Sequence, residues 1–197
     1  MKLKSLTVFI LFIIFGNVNF SNAETPSEFI NKITIEASSI LAGNDPKEKK
    51  IDKLKKIAEN SVDIIGIGMY SLGSHRKTIS DIQKDTYNEL FKEYFLKSFS
   101  SRLAEYSNPE IEVISKKKLN ENYTMVSSKL VATEQRPEVK IDWRIYTKNP
   151  QNLLIRDLII EGLSLARTQK EEFASIIQSN NGDIKALFTT LEKFINE

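Results

Sequence analysis

Val139-Lys-Ile-Asp-Trp-Arg-Ile-Tyr-Thr147 alternates apolar and polar residues without interruption. Val139, Ile141, Trp143 and Ile145 share one face, and Lys140, Asp142 and Arg144 share the other. A period of two with one greasy side predicts a half-buried β-strand. Its neighbours read the same way: Ile111–Ser115, Tyr123–Thr133 and Leu153–Glu161 are the other predicted strands. The connections at Lys118–Asn122, Gln135–Pro137 and Lys148–Asn152 have hairpin length, so the four form an antiparallel meander with one polar face. In the second strand parity turns Val126, Ser128 and Leu130 inward.

Upstream of this block the period is helical. Thr25-Pro26-Ser27-Glu28 is a capping box with proline at the first helical position, and Gly43 ends that helix. Asp45-Pro46-Lys47-Glu48 repeats the start signal for a second helix, whose lysines at 49, 50, 53 and 56 lie opposite Ile51, Leu54, Ile57 and Ala58. Val62–Leu72 is apolar almost all round, which predicts a buried helix. A long helix follows from about Ser80 to Tyr106, opened by the capping pair Ser80 and Gln83. Tyr87, Phe91, Phe95, Phe99 and Leu103 recur along it at steps of four. Such a stripe winds along one broad face. It is either a packing device or the wall of a cavity. Downstream of Gly162, Ser164 caps a further helix, Asn180-Asn181-Gly182 stops it, and Asp183 starts the last. Helices on one face of an antiparallel sheet make an α+β layer.

The N-terminus has a different character. Lys2 and Lys4 precede an unbroken apolar run, Leu6–Phe15, and Ser21-Asn22-Ala23 places small residues where a signal peptidase cuts. The run is about half of the roughly 20 residues a membrane span needs. The expectation is a signal peptide at 1–23, cleaved near Ala23, and a single domain at 24–197. Its loss removes two lysines and leaves 26 basic against 26 acidic residues. That balance does not suit a nucleic-acid binder, which carries a basic excess.

The chain has no cysteine and one histidine, His75. Thiol catalysis, thiolate metal sites and multi-histidine metal sites are therefore excluded. His75 could pair with Asp142 or Asp157, but no spacing ties them together and no G-x-S-x-G elbow occurs. No metal site, cofactor or catalytic residue is expected. Asn122-Tyr-Thr124 fits a glycosylation triplet, a weak pattern, and Lys116–Lys118 reads as a solvated charge run.

Two segments carry a resemblance. Asp157-Leu-Ile-Ile-Glu-Gly-Leu-Ser-Leu165, followed by Phe173, Gly182-Asp183, Leu187 and Leu191, resembles the C-terminal block of the MlaC family, the periplasmic phospholipid-binding or toluene-tolerance proteins. Asp63 to Gly73, then Arg76, Gln83, Tyr87, Phe91 and Phe95, resembles its middle block. The order is kept from about Phe29 to Phe194. The chain departs from the family pattern at His75 and at Leu153-Leu154, where tryptophan is usual, and at Trp143, where tyrosine is.

The resemblance implies an NTF2-like fold, with helices on a curved antiparallel sheet of about four strands enclosing an apolar cavity. It implies a monomeric periplasmic carrier of phospholipid, a cargo and not a cofactor, serving outer-membrane lipid asymmetry. Its implied partners are an outer-membrane lipoprotein and the periplasmic substrate-binding component of an inner-membrane ABC-type complex. Under that reading part of the aromatic stripe faces lipid. The expected lipid-contacting residues are Ile65, Met69, Leu72, Phe91, Phe95, Phe99, Val126, Leu130, Ile141, Trp143, Ile145 and Leu158. Asp157, Glu161 and Gly162 read instead as a strand-to-helix turn that maintains the fold. The other readings are a carrier of a different apolar ligand, such as a hopanoid, and a small enzyme on the same fold.

Overall fold

The structure, a computed structural model, describes residues 23–197. Residues 1–22, which carry most of the expected export signal, lie outside the described residues. Six α-helices cover a five-stranded antiparallel sheet. In chain order they are α1 (Pro26–Ala42), α2 (Lys47–Ser61), α3 (Ile64–Ser71), α4 (Asp81–Leu103), β1 (Ile111–Lys118), β2 (Tyr123–Leu130), β3 (Val139–Tyr146), β4 (Leu154–Ile160), β5 (Leu163–Ser164), α5 (Leu165–Ser179) and α6 (Ile184–Asn196). The strands follow one another across the sheet in sequence order.

The two capping boxes form as read. Thr25 Oγ1 accepts the Glu28 amide while Glu28 accepts the Thr25 amide, and Ser80 and Gln83 repeat the exchange. Each satisfies two amides that the first helical turn leaves free. The repeated signal at Asp45 does not work that way. α2 begins without a side-chain cap, and Asp45 takes Lys49 at 3.2 Å and Lys53 at 2.6 Å. With lysines one and two turns away, an ion pair to each replaces the cap.

The sheet differs from the expected meander at its ends. Leu163–Ser164 adds a fifth strand of two residues, which returns along β4 (Ile160 opposite Leu163). Glu161 and Gly162 make that reversal at φ 49° and 81°, the left-handed region in which glycine has no steric penalty. β1 runs on through Lys118, so the lysine run belongs to an edge strand, where such charges block pairing with other chains. β2 stops at Leu130, and α4 stops at Leu103 rather than Tyr106. The inward parity of β2 holds: Val126 pairs with Trp143, Ser128 with Ile141 and Leu130 with Val139. Register shifts within β1 and opposite Arg144–Ile145 are the irregularities that bend a strand and raise its twist.

Helix α4 is the centre of the helical layer. Its main packing partners are α2, α3 and α6, none of them a strand. The sheet is covered instead by α1 on β1 and by α5 on β4. The N-terminal half of α4 is true core. Tyr87 and Phe91 are fully buried, and each meets Phe173 of α5 edge-on, at 6.4 and 6.1 Å between ring centroids. The Tyr87 hydroxyl donates to the Gly68 carbonyl at 2.9 Å, and burial raises its pKa far above the usual phenol value. Gly68 lets α3 come this close: a Cβ there would stand 2.7 Å from the Phe91 ring.

The α2–α3 joint is stitched to the sheet. Val62 bridges Ile155 in parallel, the Asp63 amide donates to the Ile155 carbonyl at 2.9 Å, and the Asp63 carboxylate pairs with Arg156. Arg156 lies over the Tyr146 ring at 4.5 Å and donates to the Tyr123 hydroxyl.

Gly68→Ala tests the α3–α4 contact. Alanine favours a helix by about 1 kcal/mol over glycine, yet the overpacked ring should outweigh this and leave a net loss of about 1–3 kcal/mol. Urea unfolding of the purified domain measures it, and a stabilised variant would refute the contact.

Candidate functional site

Where α4 stands off the sheet the interior is not filled. Two neighbouring cavities lie there, of about 210 and 170 Å³. Val62, Phe99, Trp143, Ile155 and Leu158 line both and form the partition between them. The first cavity is walled by Ile67, Phe91, Tyr94 and Phe95, and by Leu165 and Ala166 at the start of α5. The second runs under α1 and α2, against Ile33, Ala37, Leu41, Leu54 and Ile57, with Leu130, Val139, Ile141 and Ile160 as its sheet wall.

The aromatic stripe therefore changes role along its length. Tyr87 is core. Phe91 is buried and touches the first cavity, while Phe95 and Phe99, partly buried, stack at 5.5 Å with their planes 11° apart and border the open space. A period of four reports which face is apolar, not whether another side chain fills the space opposite. Trp143 is held by the donation of its indole N–H to Ser128 Oγ at 2.8 Å, and Ser128 Oγ donates in turn to the Ile141 carbonyl. The buried indole thus has the partner that its polar edge requires.

Charged groups border the first cavity alone, while the second meets only hydroxyls, those of Thr34, Ser38, Ser61 and Tyr106. The first cavity meets Ser98 and Arg102 on α4, and Thr168, Gln169 and Glu172 on α5. The Tyr94 hydroxyl donates to Gln169 Oε1 at 3.0 Å, and Gln169 Nε2 donates to Glu172 at 3.1 Å. Burial raises the Tyr94 pKa, partly offset by the Gln169 bond. Asp157, 2% exposed, also borders this cavity. It accepts from Ser164 Oγ at 2.7 Å and from the Ala166 amide at 3.1 Å, and pairs with Arg144 at 3.3 Å. Asp157 thus ties β4 to the first turn of α5, the structural role read for it from sequence. A buried carboxylate needs such company, since unpaired burial costs several kcal/mol.

Seven of the twelve residues expected to contact lipid border a cavity: Phe91, Phe95, Phe99, Leu130, Ile141, Trp143 and Leu158. Five do not. Leu72, Val126 and Ile145 are buried in solid core, Met69 packs against that core, and Ile65 is 45% exposed on the outer side of α3. Inward parity alone does not separate a strand residue under a helix from one under a gap. The walls from α1 and α2 were missed, because a surface helix shows the same apolar stripe whichever neighbour it covers. His75 joins no acid–base pair: Asp142 is engaged by Ser127 and Lys140, and Asp157 by α5 and Arg144. Among the described residues no group of three acidic or histidine side chains is placed to hold a metal, and no helix is long and apolar enough to cross a membrane.

The family model described as MlaC protein matches residues 31–193. The chain belongs to the MlaC family. No curated protein matches the sequence. Among solved structures, this MlaC-family chain is similar to the phospholipid-binding protein of Ralstonia solanacearum in complex with a phospholipid. The TM-score is 0.71 over 86% of this chain and 96% of that one, at 18% identity. At that identity the likeness is one of fold.

The two kinds of interior position respond differently to substitution. Val126→Asp buries a carboxylate among apolar neighbours and should abolish cooperative urea unfolding. Phe95→Ala enlarges an existing space and should cost about 1 kcal/mol, below the ~3–5 of a filled core site. Equal losses would mean that the Phe95 surroundings are filled.

Proposed function

We propose that the protein is a soluble, non-catalytic periplasmic carrier that shields phospholipid acyl chains in the paired cavities. It shuttles lipid between the outer membrane and an inner-membrane ABC-type transporter. Its partners are an outer-membrane lipoprotein and the periplasmic substrate-binding component of that transporter. One observation carries the reading: the space between α4 and the sheet is lined mainly by aromatic and aliphatic side chains, and charged groups border the first cavity alone. Family membership and the fold shared with a phospholipid-binding protein support it.

The energetics favour such a container. Two acyl chains hold roughly 30 methylenes, and at ~0.8 kcal/mol each their exposure to water costs about 24 kcal/mol. Exposed ion pairs contribute about 0–1 kcal/mol, so headgroup contacts alone do not hold a lipid. A dry apolar cavity of roughly 150 Å³ takes up benzene, and each lobe is larger. A whole acyl chain needs more room, so loading requires α4 and its neighbours to move away from the sheet.

Trp143, the single tryptophan, stands between the lobes and reports on both. Incubation with vesicles of phospholipid brominated along its acyl chains should quench its fluorescence by more than half, in both the parent and His75→Ala. Extraction of the purified protein should release near-stoichiometric two-tailed phospholipid by mass spectrometry. A protein that purifies empty and shows no quenching refutes the reading, and recovery of a different apolar molecule replaces the cargo.

A further inference from the structure

Three charged side chains border the first cavity: Asp157 is buried and paired with Arg144, whereas Arg102 and Glu172 are exposed and do not pair with each other. Tyr94, Ser98 and Arg102 fall at steps of four on α4 and border that cavity, with Gln169 and Glu172 facing it from α5. Arg102 is exposed and makes no ion pair or side-chain hydrogen bond among the described residues. Glu172 is exposed too, and its one partner is the neutral amide of Gln169. Tyr94 reaches Gln169 beside this cavity, and Arg102 stands eight residues further along α4, roughly 12 Å at 1.5 Å per residue. Glu172 raises and Arg102 lowers the Tyr94 pKa, so both charges stand near that hydroxyl. Unpaired opposite charges on two helices, beside an apolar interior, complement a molecule with a phosphate, a nearby ammonium and two tails.

We infer that Arg102 and Glu172 select zwitterionic phospholipids, Arg102 taking the phosphate and Glu172 the amine of the headgroup. The inference rests on the carrier reading above and adds the class of lipid. Guanidinium matches a phosphate oxygen pair in plane, which lysine does not. Glu172 offers an acceptor to an ammonium and opposes a second negative charge. The hydroxyls of Ser98 and Thr168 on the same cavity are neutral and serve either headgroup equally, and the Asp157 carboxylate is already taken by Arg144 and α5.

The test offers the full mature protein vesicles with equal phosphatidylethanolamine and phosphatidylglycerol of identical chains, then measures bound lipid by mass spectrometry. Acyl-chain loading is read separately by quenching of Trp143. The parent should enrich phosphatidylethanolamine about five-fold, the scale of one exposed ion pair, and lose most of that enrichment at 1 M salt. Glu172→Lys should reverse the preference while quenching persists. Arg102→Gln should raise the half-loading concentration of both lipids about five-fold, because both carry the phosphate. Glycerophosphoethanolamine, the headgroup without tails, should displace no lipid at millimolar concentration. A parent without preference, or variants that keep its ratio and its loading, overturns the assignment. Displacement of lipid by the tailless headgroup overturns it as well, by making the rim a solute site. Absence of quenching in every protein would instead defeat the carrier reading itself.

Discussion

Space that a protein's own side chains leave unfilled forfeits packing contacts, and this chain keeps two lobes of it, of about 210 and 170 Å³. Losses of packing weigh heavily against a net stability of about 5–15 kcal/mol for an ordinary domain. The gap persists only because the parts around it cannot fall into it. α4 is held by α2, α3 and α6, and the sheet is covered by α1 and α5, while the α2–α3 joint is bonded to β4 and so fixes the spacing between the two walls.

The polar anchors follow the same logic. They run around the cavities rather than across them. Asp157 ties β4 to α5, and Asp63 with Arg156 ties the α2–α3 joint to β4 and onward to Tyr123 and Tyr146. The edge-on rings of Tyr87, Phe91 and Phe173 clamp the N-terminal half of α4 where the interior is solid. No such edge-on clamp acts on Phe95 and Phe99: Phe95 meets Phe91 at 6.2 Å, and the two stack on each other at 5.5 Å. The C-terminal half of α4 borders the open space with one face only; on its other side Lys97 donates to the Phe194 and Ile195 carbonyls of α6, and Leu96 and Ser100 are buried.

Most of the frame was legible in the sequence because local signals determine it. The alternation of Val139–Ile145, the two complete capping boxes and the left-handed turn at Glu161-Gly162 each rest on neighbours in the chain. The misreadings share another cause. Asp45 has the spacing of a cap and loses it to Lys49 and Lys53. Leu163–Ser164 is too short to show a period and becomes a strand only because β4 lies beside it. Val126 and Ile145 have the same parity as Ile141 and Trp143, yet the first two sit under packed helices and the others under the gap. Burial is written in periodicity. What occupies the space on the far side of a buried face is not.

The division of labour inside the cavities bears on how such a carrier discharges. Tails held by roughly 24 kcal/mol of avoided exposure do not leave through water on any useful timescale. Release needs an apolar surface brought against the mouth, so that one dry environment replaces another as each methylene passes. Leu165 is 41% exposed and lines the first cavity, next to the still more exposed Leu163 on β5. Apolar surface at the rim is costly in isolation and useful only when a second surface covers it. The tails then cross between two shielded environments of similar free energy, and the balance falls to terms near 1 kcal/mol at the rim. In the proposed carrier, strong burial would thus keep the cargo in, while weak polar contacts at the rim would decide which cargo and at which surface it is given up.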